Sequence, residues 1–286
     1  MPGTILLSGS DGFTGLHLTE LARSQGYRVH FLQSDITDTD ALNSELAALA
    51  FDFVVHLAGI SAVTHDDVQE LYRVNLFGTL NLLSAVAASG QSPEKVVIAS
   101  SANVYGDRAV SPINEDQCPN PVNHYAMSKL AMEQMARAHG KKLPLVFCRP
   151  FNYTGAGHDL RFVIPKLVDH FASRKPLVEL GNLEIEREFN DVRAICRVYM
   201  ALLEKGQPGE VYNVCSGRTH KLSSVIDLLS AITGHEIEVE VNPEFLRENE
   251  LQKLSGDPSK LHTCIGEIDF PSLKQTLQWM LGLEEK

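Results

Sequence analysis

The sequence predicts an α/β fold, with a doubly wound parallel sheet and a smaller, interleaved C-terminal lobe. Short apolar, β-branched runs alternate with longer segments of helical periodicity up to Pro150. The runs are apolar on both faces, as expected of parallel strands covered by helices on both sides. After Pro150 this rhythm breaks into mixed elements, which indicates a second lobe.

The first part of the chain is predicted to contain five strands and four helices. The strands are TILLSG, RVHFLQ, DFVVHLAG, KVVIASS and LPLVFCRP, which begin at residues 4, 28, 52, 95 and 143. The helices are predicted over residues 14–25, 41–50, 68–88 and 125–139. No room for a helix is evident between RVHFLQ and the SDITD that follows it. We therefore expect a shortened or missing second crossover.

The second part mixes helices with isolated strands. Helices are predicted over residues 162–173, from EREFNDV to Leu203, over residues 222–233 and from Ser272 onward, and strands at EVYNVCSG and EIEVEV. Because no linker separates the two parts, the lobes are expected to interleave. The predicted division assigns residues 1–150 and about 190–216 to the sheet domain, and residues 151–189 and 217–286 to the smaller lobe.

The composition excludes several classes of protein. A formal charge of −11, with no basic run, argues against a binder of nucleic acid or of membrane surfaces. The five cysteines form no C-x-x-C pair, and the histidines and acids show no metal-ligand spacing, so we predict neither disulfides nor a metal. With no signal peptide and no long apolar span evident, a cytoplasmic protein is expected.

Three glycines follow the first predicted strand and precede the first helix. Gly9, Gly12 and Gly15 in GSDGFTG would permit a tight turn and close approach of the backbone to a pyrophosphate at the helix N-terminus. The pattern predicts a Rossmann-like, dinucleotide-binding domain. The second strand ends in Gln33 and Ser34 instead of the acid that would bind a ribose, so NAD(H) and NADP(H) both stay open.

Asp35 follows that strand end closely. With the crossover helix expected to be missing, this aspartate is assigned to the end of the next strand, where it would face the adenine of the cofactor.

A serine, a tyrosine and a lysine carry the predicted chemistry. Tyr125 and Lys129 are four residues apart, so on a helix they share one face. The lysine ammonium could stabilise the phenolate and lower the pKa of the tyrosine, which for the free side chain is about 10. Ser101 ends a predicted strand, and its hydroxyl could bind a substrate carbonyl. Together they could move a proton while a nicotinamide moves a hydride.

Several motifs together resemble the extended short-chain dehydrogenase/reductase family, also called the epimerase/dehydratase group of nucleotide-sugar enzymes. They are GSDGFTG, SDITD, HLAG, NLFGTLNLL, SSANVYG, HYAMSK and RPFN, and the resemblance covers essentially the whole chain. The second half, through EREFNDV, GEVYNVCSG and LSGDPSKL, is more similar to GDP-4-dehydro-6-deoxy-D-mannose reductases than to UDP-galactose epimerases. Glu188 stands where this family usually has an aspartate, a chemically mild change.

The resemblance implies roles for specific residues. The implied catalytic residues are Ser101, Tyr125 and Lys129. The implied cofactor-binding residues are Gly9, Gly12, Phe13, Gly15, Asp35, Ile36, Leu57, Ala58, Gly59, Asn75, Tyr125 and Lys129. The implied substrate-binding residues are Ser101, Ala102, Asn103, Tyr125, Asn152, Arg187 and Arg247, of which the two arginines and Asn152 would hold the diphosphate.

The expected activity is the NAD(P)H-dependent reduction of the C4 keto group of a nucleotide-linked 4-keto-6-deoxyhexose, giving a GDP-6-deoxyhexose of the GDP-D-rhamnose type. A nucleotide-sugar 4-epimerase and a dTDP-linked ketosugar reductase are the alternatives, and a non-catalytic dinucleotide sensor is a remote one. A 4,6-dehydratase is disfavoured because Ala102 and Asn103, not acids, follow the serine. Relatives form dimers through two long helices, which implies a homodimer here.

Two histidines and two cysteines have structural expectations. His56 ends an apolar strand and is expected to be packed or next to the cofactor, and His124 is expected to line the site at most. Cys148 and Cys215 fall in strand-like runs, so burial is expected for both.

Overall fold

The computed structural model describes residues 2–61, 67–107, 110–245 and 252–283. The strands are β1 Thr4–Ser8, β2 Arg28–Phe31, β3 Phe53–His56, β4 Lys95–Ala99, β5 Leu145–Pro150, β6 Tyr153–Thr154, β7 Leu177–Leu180, β8 Glu186–Arg187, β9 Asn190–Asp191, β10 Val211–Val214, β11 His220–Lys221, β12 Glu238–Val241 and β13 Lys253–Leu254. The helices are α1 Phe13–Ser24, α2 Thr39–Ala47, α3 Val68–Tyr72, α4 Thr79–Ala88, α5 His124–Ala136, α6 Val163–Ala172, α7 Val192–Lys205, α8 Leu222–Thr233, α9 Ser259–Ile265 and α10 Leu273–Met280. A π-helical turn, Arg73–Gly78, joins α3 to α4.

A six-stranded parallel sheet forms the centre of the fold, in the order β10-β5-β4-β3-β1-β2. Side chains alternate between its two faces. Ile5 and Leu7 of β1 join a core with α1, α7 and α9, whereas Leu6 joins a second core with α2, α4 and α5. Because each strand is apolar on both faces, each face of the sheet is covered by one of these two cores. This arrangement confirms the predicted doubly wound, Rossmann-like fold.

The crossover between β2 and β3 decides between the two alternatives expected from the sequence, because it is shortened and not missing. It contains a helix, α2, which is nine residues long and begins at an N-cap, Asp38, whose carboxylate accepts a hydrogen bond from the Ala41 amide at 3.0 Å. The crossover is therefore short but present. Asp35 lies in the loop between β2 and α2, and its assignment to the next strand end was wrong, since β3 begins only at Phe53.

The smaller lobe has its own apolar core, which unites α6, α8, α10 and the parallel pair β7–β12. Leu167, Leu229 and Leu277 are fully buried there. A three-stranded sheet, in the order β11-β8-β13, joins this lobe to the rest. The sequence did not predict β7 or the two-residue strands, and the latter have too few residues to show a period.

Helix α9 was not predicted either, and it lies on the other side of the lobe boundary expected from the sequence. Leu261, Ile265 and the following Phe270 pack into the core beneath α7. This segment therefore packs with the sheet domain, although residues 217–286 had been assigned to the smaller lobe.

Glu188 connects the sheet domain with the smaller lobe. Its buried carboxylate accepts hydrogen bonds from the amides of Ser216 and Gly256 at 2.8 and 2.7 Å, and from the Asn190 side chain at 2.9 Å. Three segments that are distant in sequence thus converge on one side chain. Among the described residues, no helix is both long enough and apolar enough to span a bilayer.

Candidate active site

A cavity of about 460 Å³ opens at the carboxyl ends of β1, β3, β4 and β5. This is where ligands bind to doubly wound sheets. Twelve of the predicted site residues line it: Gly9, Gly12, Phe13, Gly15, Leu57, Gly59, Ser101, Ala102, Asn103, Tyr125, Lys129 and Asn152. The fold thus brings residues from five separate stretches of the chain to one place.

The glycine turn fits a dinucleotide. Gly9 has φ of +73°, and a Cβ there would lie 2.6 Å from the Ala58 amide nitrogen. Helix α1 begins after Gly12, and no side chain caps the N-terminus of this helix. The amides of its first turn are therefore available to a phosphate at the positive end of the helix dipole.

Ser101 lies where β4 ends and a short 3₁₀ helix, Ala102–Tyr105, begins. Its Oγ accepts hydrogen bonds from the backbone amide and the side-chain amide of Asn103, at 3.2 and 3.1 Å. The same hydroxyl lies close enough to Tyr125 to lower the pKa of its phenol. The turn therefore holds the serine oxygen beside the tyrosine phenol.

Tyr125 lies in the first turn of α5 and is 7% exposed. The N-cap of this helix is Asn123, whose side chain accepts a hydrogen bond from the Ala126 amide at 2.8 Å. Burial raises the pKa of Tyr125 above its usual value, and Ser101 offsets part of that rise. The phenol is protonated at neutral pH, as a proton donor must be. That Lys129 lowers the pKa of this tyrosine stays a prediction.

Lys129 lies one turn along α5 from Tyr125 and is buried. Its Nζ donates a hydrogen bond to the Ala99 carbonyl at 3.0 Å. Burial lowers the pKa of Lys129 to about 8, although the negative charge of Glu133 acts in the opposite direction. A Cβ on Gly59 would lie 2.9 Å from Asn75 Oδ1 and 3.2 Å from this nitrogen, so a larger residue here would displace one or both of these side chains.

Asn75 orders the surroundings of that lysine. From the π-helical turn, its Oδ1 accepts from the Ile60 amide at 2.8 Å, and its Nδ2 donates to the Ile60 carbonyl and to Ser128 Oγ at 3.1 and 3.0 Å. This side chain connects the loop after β3 to α5. It does so without lining the cavity.

The other predicted site residues that the structure describes lie outside the cavity lining. Asp35 is exposed and accepts hydrogen bonds from the amide and hydroxyl of Thr37, each at 2.8 Å. Ile36 is buried. The Ala58 amide donates to Ser8 Oγ at 3.3 Å. Arg187 lies on β8 beside Leu254, which does line the cavity, and Arg247 lies outside the described residues.

The sequence did not single out one wall of the cavity, the loop after β5. This wall contains Tyr153, His158, Asp159, Arg161 and Phe162. The His158 ring stacks between those of Phe13 and Phe162, at centroid distances of 4.3 Å each. Burial lowers the pKa of His158 to about 4, so the ring is neutral. The signal was available, since NYTGAGHDL directly follows a predicted strand end.

The histidine and cysteine expectations have clear outcomes. His56 is fully packed: Nδ1 lies 2.6 Å from Ser8 Oγ and Nε2 lies 2.8 Å from Thr79 Oγ1. His124 is exposed, 3.2 Å from the hydroxyl of Tyr72, and is not part of the cavity lining. Cys148 and Cys215 are buried, as expected.

Two features define a dinucleotide-dependent enzyme. A glycine turn precedes a helix whose N-terminus has no side-chain cap, and a Ser–Tyr–Lys set lies at the carboxyl ends of the strands of a doubly wound sheet. Comparison of the sequence with known protein families identifies the family within this class of enzymes. The profile of the NAD dependent epimerase/dehydratase family matches residues 5–215. The chain belongs to this family, as its motifs predicted.

Individual relatives cover almost the whole chain. The chain is 32% identical to GDP-6-deoxy-D-talose 4-dehydrogenase of Aggregatibacter actinomycetemcomitans, over 96% of each sequence. It is 34% identical to GDP-6-deoxy-D-mannose reductase of Pseudomonas aeruginosa, over 99% of this chain and 97% of that protein. The solved structure of RMD from Pseudomonas aeruginosa complexed with NADPH superimposes with a TM-score of 0.91 at 32% identity, covering 98% of both chains.

Proposed function

We propose that this protein reduces the C4 keto group of a GDP-linked 4-keto-6-deoxyhexose with NADH or NADPH. The observation that carries this proposal is that Ser101, Tyr125 and Lys129 line one cavity together with the glycine turn. The two named relatives act on GDP-6-deoxyhexoses, which supports the sugar and the base. The expected product is of the GDP-D-rhamnose type, or its C4 epimer of the talose type, as in the first relative.

The residues divide the chemistry among them. The bound nicotinamide supplies the hydride. Ser101 would orient the keto oxygen, and Tyr125 would donate its proton to the alkoxide that develops there. Lys129 would then face the phenolate left behind and stabilise its negative charge. Asn152, at the end of β5, and Arg187 are the proposed contacts to the diphosphate, together with Arg247.

An absorbance assay tests this function. The purified protein is mixed with NADH or NADPH and a GDP- or dTDP-linked 4-keto-6-deoxyhexose, and the oxidation of the nicotinamide is followed. Turnover with the GDP sugar is expected, and the configuration of the product at C4 distinguishes the rhamnose type from the talose type. No oxidation with any ketosugar, together with NAD that co-purifies, would favour the 4-epimerase instead.

The end of β2 favours NADH over NADPH. Glu45 of α2 accepts hydrogen bonds from the amides of Gln33 and Ser34 at 2.9 and 2.8 Å. Partial burial raises the pKa of Glu45, but the hydrogen bonds from Ser34 and Gln33 lower it by a larger amount. The pKa of Glu45 is therefore below its usual value, and the carboxylate is ionised at neutral pH. In Rossmann-like folds the adenosine ribose lies at this strand end. A 2′-phosphate there would meet this negative charge and that of Asp35.

Replacing Glu45 with glutamine should therefore shift the cofactor preference. We expect the ratio of kcat/KM for NADPH to that for NADH to rise about tenfold, which corresponds to about 1.4 kcal/mol for one repulsive charge contact. Steady-state kinetics with both cofactors measure it. Glu236→Gln, the same change on the surface of the smaller lobe, is the control. An unchanged ratio in Glu45→Gln would refute this assignment of Glu45.

We further propose a homodimer that works in the cytoplasm. Three large apolar side chains on neighbouring helices are exposed: Phe77 by 56%, Met127 by 43% and Met135 by 55%. Helix α5 packs against α4 and the π-helical turn, so these residues lie on adjoining elements. Exposed apolar area of this kind marks an interface. The five free cysteines suit a reducing compartment.

Phe77→Glu should convert the dimer into a monomer, because burying an unpaired carboxylate in an apolar interface is costly. Sedimentation velocity measures the change. Leu177→Glu, an equally nonconservative change on the exposed side of β7, should leave the dimer intact. A wild-type protein that is monomeric at micromolar concentration would contradict the proposal.

A further inference from the structure

A buried ion pair lies behind the active site. Arg149, near the end of β5, donates from Nε to Glu133 Oε1 at 2.9 Å and from Nη2 to Oε2 at 2.6 Å. Both side chains are almost completely buried. Such pairs cost desolvation energy that their attraction barely offsets, so stability alone does not explain this one. Neither residue lines the cavity.

The pair joins α5, which carries Tyr125 and Lys129, to β5, and Arg149 also reaches the turn that follows Ser101. Glu133 lies one turn past Lys129 on α5. The guanidinium of Arg149 lies 4.8 Å from the centroid of the Tyr105 ring, and Tyr105 ends the 3₁₀ turn that follows Ser101. The Tyr105 hydroxyl is held in turn by Asn213 Oδ1 at 2.7 Å. A continuous set of contacts thus runs from the serine turn to the lysine helix.

We propose that Glu133 and Arg149 are positioning residues for catalysis. Glu133 keeps the Lys129 ammonium charged in its buried site, and Arg149 holds the Ser101 turn against α5 through Tyr105. The proposal rests on the function proposed above, because it assigns the pair to the same Ser–Tyr–Lys set.

The charges around Lys129 support this role. Glu133 supplies the negative charge among the described residues packed around Lys129. Arg149 is the positive partner of Glu133 and compensates its charge within the core. His56 is uncharged at neutral pH, because burial and Lys129 lower its pKa to about 3. Burial also raises the pKa of the Cys148 thiol, and the Tyr125 phenol is protonated. The other groups, Asn75 and the Ala99 carbonyl, are neutral dipoles.

Three variants separate a positioning role from a structural one. Glu133→Gln removes the negative charge and leaves Arg149 uncompensated, and both effects lower the pKa of Lys129. The alkaline limb of the kcat profile, where the ammonium is lost, should move to lower pH by about one unit. In the double variant Glu133→Gln/Arg149→Met the uncompensated charge of Arg149 is also removed. The alkaline limb of this variant should therefore lie between those of Glu133→Gln and the wild type. Glu133→Asp keeps the charge and should keep the limb in place while kcat falls.

A direct titration makes the result independent of the sugar substrate. In protein labelled with ¹³C at lysine Cε, NMR follows the ionisation of Lys129, whose signal Lys129→Arg identifies. A shift of about one unit in Glu133→Gln would support the proposal even if the absorbance assay found no ketosugar reduction. In Glu133→Gln, an unshifted Lys129 or a loss of kcat that is the same at every pH would overturn it.

Asp191→Asn is the matched control. Asp191 is a buried carboxylate paired with Arg193 at the N-cap of α7, so its loss also costs stability. It lies outside the set of contacts described above, and its replacement should leave the Lys129 titration unchanged. If Glu133→Gln fails to fold, the neutral double variant, which leaves no unpaired buried charge, carries the test.

Discussion

Replacing Tyr125 with phenylalanine is expected to lower kcat by about 10³-fold, while the affinity for the reduced dinucleotide changes little. The variant removes one oxygen atom, the proposed proton donor, and general acid catalysis contributes about 10²- to 10⁴-fold. The ring stays packed at the first turn of α5, so the cavity keeps its shape. Stopped-flow or steady-state assays with the GDP ketosugar measure the rate, and fluorescence titration measures cofactor binding.

Tyr72→Phe is the control for this experiment. It removes the same atom from α3, where the hydroxyl contacts His124 outside the cavity. Its kcat should stay within about twofold of wild type. Turnover by Tyr125→Phe at more than a tenth of the wild-type rate would exclude the tyrosine as proton donor.

Lowering the pH is expected to destabilise the protein through His56. Burial, with a smaller effect of Lys129, lowers the pKa of His56 to about 3 in the folded state, against about 6.5 when unfolded. Between these values the unfolded chain binds the additional proton. The free energy of unfolding therefore falls as pH decreases below 6.5, by about 1.4 kcal/mol per unit. From pH 7.5 to 5 the loss attributable to His56 is roughly 2 kcal/mol.

Denaturant unfolding at several pH values tests this expectation. His56→Asn removes the titrating group, so its slope below pH 6.5 should be smaller than that of wild type by about 1.4 kcal/mol per unit, even though the variant is less stable at neutral pH. His158, whose pKa burial also lowers, contributes in the same direction in both proteins and cancels in the comparison. Equal slopes would mean that His56 is not held neutral.

Much of the sheet domain could be predicted because its signals are local. The strand and helix periods are visible within windows of five to fifteen residues, and the glycine turn lies at a single strand–helix junction. Tyr125 and Lys129 could be paired from their spacing alone, because one helical turn sets their distance. Their meeting with Ser101 followed from the rule that the carboxyl ends of parallel strands share one edge.

The remaining features depend on contacts between distant parts of the chain. The sequence predicted the crossover helix α2 over residues 41–50, whereas the helix spans Thr39–Ala47, and its N-cap, Asp38, was not recognised. The docking of α9 beneath α7 and the convergence of three segments on Glu188 have no local signature. They arise only when two lobes that alternate along the chain pack together.

The sequence by itself predicted the doubly wound sheet, the dinucleotide turn and the Tyr–Lys pair, because each follows from periodicity or from spacing within a few residues, and it predicted the place of Ser101 from the strand end that precedes it. The tertiary structure alone decided what surrounds them. Glu45 at the end of β2, the His158 ring against Phe13, and Glu133 with Arg149 are partners separated by 11 to 145 residues. Side chains that distant meet only after the core has packed, and no period in the sequence records their meeting.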